Sequence, residues 1–131
     1  MNLRALLVAA VLAAAAWTGE SDLLSRVPPA SAALPNPLAN NPEAERAGAR
    51  LFARECSACH GVAREGRGKA PRLDCARVQQ AAPGELFWIL RNGSLRNGMP
   101  SFAHLPETER WQIITFLHSP AASHPGAQPG H

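Results

Sequence analysis

The chain has 131 residues, enough for one domain, with 13 basic and 10 acidic side chains and a formal net charge of +3. That balance is too weak to argue for nucleic-acid binding, while it permits docking on an acidic protein patch. The three cysteines, an odd number, do not make a disulfide framework.

Residues 1–17 open with Met1-Asn2-Leu3-Arg4 and continue as an unbroken apolar run from Ala5 to Trp17. One basic residue, a short apolar stretch and Ala14-Ala15-Ala16 make the pattern of a secretory signal peptide. Retained, the segment is a short membrane anchor, though a spanning helix needs roughly 20 apolar residues. Residues 18–41, with "RVPPASAALPNPLANNP", have neither helical nor strand period and are expected to form a flexible linker.

Residues 42–118 make the folded block. Its first helix opens with Asn41 as cap, Pro42 at the first helical position and Glu43 and Glu45 in the first turn. Ala44, Ala47, Gly48, Leu51 and Phe52 recur at helical spacing and lead directly into Cys56-Ser57-Ala58-Cys59-His60. A second helix opens at Pro83-Gly84-Glu85, carries Leu86, Phe87, Ile89 and Leu90, and stops at Asn92-Gly93. A third opens at Pro106-Glu107, carries Trp111, Ile113, Ile114, Phe116 and Leu117, and stops at Ser119-Pro120. Residues 61–82 and 93–105 are expected to be irregular, and 119–131 to be a disordered tail. No stretch reads as a strand. The fold class is therefore all-α with about three main helices, and a core this small needs a staple.

Three chemistries use two cysteines at the Cys56/Cys59 spacing. A dithiol redox pair belongs at a helix start after a strand, and here a helix comes first. A structural zinc site wants four ligands in two pairs, but His60 abuts Cys59 and Cys75 stands alone. Cys-x-x-Cys-His is also the attachment pattern of c-type haem. In that reading Cys56 and Cys59 add to the two vinyl groups as thioethers, and His60 becomes an axial ligand of the iron. The second axial ligand of an electron carrier is usually Met or His. Once Met1 leaves with the signal, Met99 is the one methionine left; it lies in "RNGMPSF", followed by Pro100, which favours an extended residue before it. The other ring nitrogen of a metal-bound His wants an acceptor, and "GKAPRL" offers the Pro71 carbonyl.

In these pieces the chain resembles the small class I, monohaem cytochrome c domains of bacteria. "AGARLFARECSACHG", "GKAPRL", "LFWILRNG…NGMPSF" and "LPETERWQIITFLHS" follow one another as that family's first helix and haem motif, proline turn, middle helix with methionine loop, and last helix. The resemblance implies a cytochrome c fold around one covalent haem c, with first and last helices crossing at Gly48, Phe52 packed near Phe116, and Ile89 and Leu90 lining the methionine side of the pocket. It does not say which of Arg64, Arg67, Lys69, Arg72 and Arg96 meets the propionates, and the tyrosine often found there is missing. Cys75 lies outside the motif and reads as a small buried side chain.

The function implied is single-electron transfer between redox protein partners in the periplasm, with His60/Met99 ligation and no catalytic residues. Alternatives are a haem c subunit of a larger periplasmic dehydrogenase or terminal oxidase complex, and a ligand-binding haem protein with an open sixth position. No nucleic-acid partner is implied, and membrane contact is implied only if residues 3–17 are retained.

Overall fold

The structure, a computed structural model, describes residues 23–120. The signal segment, and the tail beyond Pro120 with His124 and His131, lie outside the described residues. The described residues form six α-helices: α1 (Pro29–Ala32), α2 (Pro42–Glu55), α3 (Ser57–His60), α4 (Ala76–Gln80), α5 (Pro83–Asn92) and α6 (Glu107–His118). Among the described residues there is no strand, only two isolated bridges inside loops. The all-α class expected from the sequence is the one observed.

α2 starts where the sequence places it. Asn41 Oδ1 accepts from the Ala44 N–H at 3.0 Å, satisfying one of the orphan donors of the first turn. Pro42 needs no acceptor there, and Glu43 and Glu45 at the start with Arg54 at the end suit the helix dipole. α5 begins with Pro83 as well, and Glu85 Oε1 reaches back to the Ala82 N–H at 2.8 Å.

The centre of the fold is the crossing of α2 and α6. Gly48 lies against the backbone of α6; a Cβ there would collide with the Gln112 carbonyl and lie 2.8 Å from Phe116 Cβ. One turn later the Phe52 and Phe116 rings sit 5.2 Å apart, tilted by 44°. Ile113 and Ile114 are fully enclosed. α5 closes the other side, where Phe87 stacks on Trp111 at 3.9 Å and the Arg110 guanidinium lies 4.6 Å above the Phe87 ring.

Two expectations need correction. Residues 61–82 are not wholly irregular, because α4 forms within them and buries Val78 under α6. More importantly, residues 23–41 are not a loose linker. Leu23–Arg26 forms a 3₁₀ turn, Leu24 and Val27 are buried in the core, and α1 packs on α5, where Gly84 leaves room for the Ser31 carbonyl. Asn36 Nδ2 donates to Thr115 Oγ1 at 2.9 Å, and that hydroxyl donates to the Leu38 carbonyl at 3.1 Å. The order comes from tertiary contacts, which a segment without hydrophobic period does not announce. Val27→Ser is accordingly expected to lower unfolding stability by about 1–3 kcal/mol, the worth of burying a valine. Urea denaturation checks it; a change near zero would return this segment to the status of a tether.

Candidate functional site

The Cys56–His60 stretch is built by the end of α2. Cys56 leaves the helix at φ −121°, with its N–H still bonded to the Phe52 carbonyl at 2.9 Å. α3 then makes one further turn, in which the Cys59 and His60 amides both donate to the Cys56 carbonyl, at 3.2 and 2.9 Å. Gly61, at φ +85°, stops the turn. Cys56 therefore points into the core, Cys59 is exposed, and His60 is half-buried.

The loop after it returns to the histidine. Arg67 and Ala70 exchange backbone hydrogen bonds of 3.0 and 2.8 Å around a tight turn. The chain leaving that turn sets the Pro71 carbonyl 2.9 Å from His60 Nδ1, so the N–H of that nitrogen has its acceptor. Gly66, at φ +83°, lets the turn close, since a Cβ there would lie 2.7 Å from the Arg72 nitrogen and 3.0 Å from the Pro71 carbonyl carbon. His60 Nε2 is the nitrogen left for a metal.

Ile89 and Leu90 are buried on α5 in the same apolar cluster as Cys56, and Met99 is half-buried against that cluster. Met99 sits at the end of a closed loop. Ser94 and Met99 exchange backbone hydrogen bonds of 2.9 and 3.0 Å, Gly93 at φ +68° passes tightly under Pro100, and the Phe102 amide binds the Leu90 carbonyl at 2.8 Å. Backbone pairing thus fixes the position of the Met99 α-carbon relative to α5.

The donor chemistry narrows the three readings of the cysteine motif. Among the described residues no three His, Cys, Asp or Glu side chains come together as ligands for an ion, so these residues offer no four-ligand zinc site. Burial, with Glu55 and Cys59 adding to it, pushes the Cys56 thiol up to about 12. A thiol so buried is a poor nucleophile for disulfide exchange. Both thiols are free, one ring nitrogen of the adjacent histidine is oriented, and an apolar wall lies beside them. That set suits covalent haem.

The cations divide into groups. Arg72 pairs with Asp74 at 2.7 Å, and Arg67, Lys69 and Arg96 are exposed. Arg64 turns inward to α6, so its proximity in sequence to the motif misleads. Cys75 is half-buried at the residue before α4, its thiol turned away from the helix with Sγ 3.6 Å from the Arg72 carbonyl. His118 is also half-buried; burial lowers its pKa from the usual 6.5, against the opposing pull of the Ala81 and Val78 backbone. An unfolded chain therefore takes up this proton before the folded one does, so stability falls as pH drops below about 6.5 and continues to fall to the folded-state pKa. His118→Gln is expected to flatten that part of the stability–pH curve, as measured by urea midpoints between pH 7 and 5. Two surface grooves of about 450 and 270 Å³ run between α2 and the start of α6, beside Arg46, Arg50 and Arg54, and neither contains a residue of the motif or the methionine loop.

Comparison with known proteins agrees with this geometry. Residues 43–117, from the start of α2 nearly to the end of α6, match the family described as Cytochrome C oxidase, cbb3-type, subunit III. Among solved structures the chain is similar to cytochrome cL from the marine methylotrophic bacterium Methylophaga aminisulfidivorans, at 30% identity and a TM-score of 0.55, over 63% of this chain and 57% of that one. The chain thus spans little more than half the length of that relative. No curated protein matches it. The chain belongs to the bacterial monohaem cytochrome c family, whose members bind haem and move electrons.

Proposed function

We propose that this chain is an exported monohaem c-type cytochrome, carrying one haem on Cys56 and Cys59, with His60 and Met99 as axial ligands, that passes single electrons between redox proteins in the periplasm. When bound, the haem supplies a one-electron ferric/ferrous couple. The observation that carries the reading is the 2.9 Å bond between His60 Nδ1 and the Pro71 carbonyl. It fixes the tautomer and ring orientation, makes Nε2 a better donor, and does so one residue beyond two free cysteines. Cys56 and Cys59 anchor the group to the end of α2. Ile89 and Leu90 exclude water, and Met99 offers a soft thioether from a loop closed by its own backbone bonds.

A second reading keeps the same site and changes its setting. The matched family is described as a subunit of an oxidase, so the domain would serve as the haem c subunit of a larger oxidase or dehydrogenase complex. Among the described residues no helix is long and apolar enough to cross a membrane; in this setting a retained segment 3–17 or a partner subunit would supply an attachment. Purification from native membranes and from the periplasmic fraction separates the two settings: a free monomer supports the carrier, and a stable complex supports the subunit.

The test of the site itself is a pyridine haemochrome spectrum of protein expressed with cytochrome c maturation machinery. A c-type spectrum with one haem per chain is expected. In Cys56→Ala and Cys59→Ala together, no haem should survive acid–acetone extraction. An unextractable haem in that double variant, or a b-type spectrum in the wild type, would overturn the reading.

A further inference from the structure

Arg64 is one of the most deeply enclosed side chains among the described residues, at 1% exposure. It is also one of two described non-glycine residues with positive φ, at +64°, a conformation that disfavours any side chain with a Cβ. A charged residue is held here, buried and strained, four residues after the histidine. Its contacts show what holds it. Nη1 lies within hydrogen-bond distance of the carbonyls of Phe116 and Leu117, at 3.2 Å, and of Ser119, at 3.3 Å, at the C-terminal end of α6, where the Phe116 carbonyl also accepts from the Ser119 amide and the Leu117 carbonyl from Gln79 Nε2. The guanidinium lies 4.9 Å above the Phe116 ring, the ring that meets Phe52 at the helix crossing.

The backbone of the same residue carries the histidine loop. The Arg64 carbonyl accepts from the Leu73 amide at 2.8 Å, two residues beyond Pro71. The Arg64 amide donates to Gly61 at 3.1 Å, and the Gly66 amide donates to the His60 carbonyl at 2.7 Å. Residues 60–73 thus form a loop pinned at both ends to Arg64, and Arg64 is pinned to α6. Without that side chain, the Pro71 carbonyl would keep its place only through the loop's own turn.

We propose that Arg64 is a positioning residue for the axial histidine: by binding the end of α6 it holds the Pro71 carbonyl against His60 Nδ1. This rests on the reading of His60 as a ligand of haem iron. A guanidinium suits the task because one of its nitrogens reaches the carbonyls at the end of α6 while its delocalised charge lies over the Phe116 ring. Lysine keeps the charge but is shorter and has no flat face, so it separates position from charge.

The readout is hydrogen exchange of the His60 ring proton in the reduced, diamagnetic holoprotein. Arg64→Lys and Arg64→Gln are each expected to speed exchange of the Nδ1 proton by about tenfold or more, the scale of losing one hydrogen bond's worth of local order. In Arg64→Lys, where charge is kept, the midpoint potential should also rise, because a less polarised imidazole supports the ferric state less. Arg110→Lys is the control, a buried arginine with no contact to the loop. It should lose stability with His60 exchange unchanged. In the wild type, the Leu73 amide and the His60 ring proton should show the same protection factor, a measurement that needs no variant to fold. Unaltered exchange in both Arg64 variants, equal acceleration in Arg110→Lys, or unequal protection at Leu73 and His60 would overturn the inference. A wild-type holoprotein whose His60 ring resonances lack the porphyrin ring-current shift would instead overturn the axial reading, and this inference with it.

Discussion

Met99→Ala is expected to lower the midpoint potential by at least about 0.1 V and to open the iron to carbon monoxide, since axial ligands tune haem potentials over about 0.8 V. The direction follows from ligand chemistry. A thioether is soft and stabilises the ferrous state, whereas the water that replaces it favours the ferric state. At about 60 mV per tenfold for one electron, a shift of that size corresponds to a change of roughly fifty-fold in the preference of the site for ferrous over ferric iron. The loop should survive the change. Its closure depends on the Ser94–Met99 backbone pair, on Gly93 and on the Phe102–Leu90 bond, none of which uses the sulfur. Met99→His separates loss of the thioether from loss of a ligand: six-coordination returns and carbon monoxide is excluded, while the potential stays low. Leu95→Ala, at the exposed tip of the same loop, should change neither potential nor spectrum. An unchanged potential in Met99→Ala would move the sixth ligand elsewhere, with the exposed His104 next to be tested.

The parts of this protein visible in its sequence are those where one residue type carries a local rule. Asn41-Pro42 marks a helix start by its cap and its missing N–H, and α2 begins there. The Gly48, Phe52 and Phe116 crossing was legible from a small residue and two rings at helical spacing, with the resemblance to give them a partner. The Pro71 carbonyl beside His60 was legible because "GKAPRL" follows the motif and a histidine meant for a metal needs an acceptor for its other ring nitrogen. What was not legible depends on distant contacts. Leu24 and Val27 sit among prolines and alanines with no period, and only α5 and the surrounding core make them buried. α4 is five residues long, too short for periodicity to show. Arg64 lies in a run of cations, and nothing local separates it from Arg67 or Lys69. A buried arginine is found by the end of the helix it caps, and that end lies 52 to 55 residues away.

Gly48→Ala gives the other large expected effect, and its sign is set by two opposed terms. Alanine is the better helix former by about 1 kcal/mol, so a glycine in the interior of α2 would ordinarily be an improvable position. The added Cβ, however, falls on the Gln112 carbonyl and within 2.6 Å of the carbonyl carbon, with Phe116 Cβ at 2.8 Å. Backbone atoms of a neighbouring helix have no rotamer to change, so α2 and α6 must move apart. That separation loosens the Phe52–Phe116 contact and the enclosure of Ile113 and Ile114, in a core where one methylene is felt. Overpacking of this kind costs typically 1–3 kcal/mol and more against backbone, which outweighs the propensity gain. The net loss is expected at about 2 kcal/mol or more, in a domain whose whole stability is about 5–15 kcal/mol. Gly98→Ala is the comparison: at φ +84° it is strained, but nothing lies within 4 Å of its Cβ, so it should cost less than Gly48→Ala although its backbone is the worse fit for alanine. Urea unfolding of the two variants side by side decides the matter. If Gly48→Ala is as stable as the wild type, the α2–α6 crossing is wider than described, and the anchoring of the Cys56–His60 turn to α6 through Phe52 and Phe116 loses its basis.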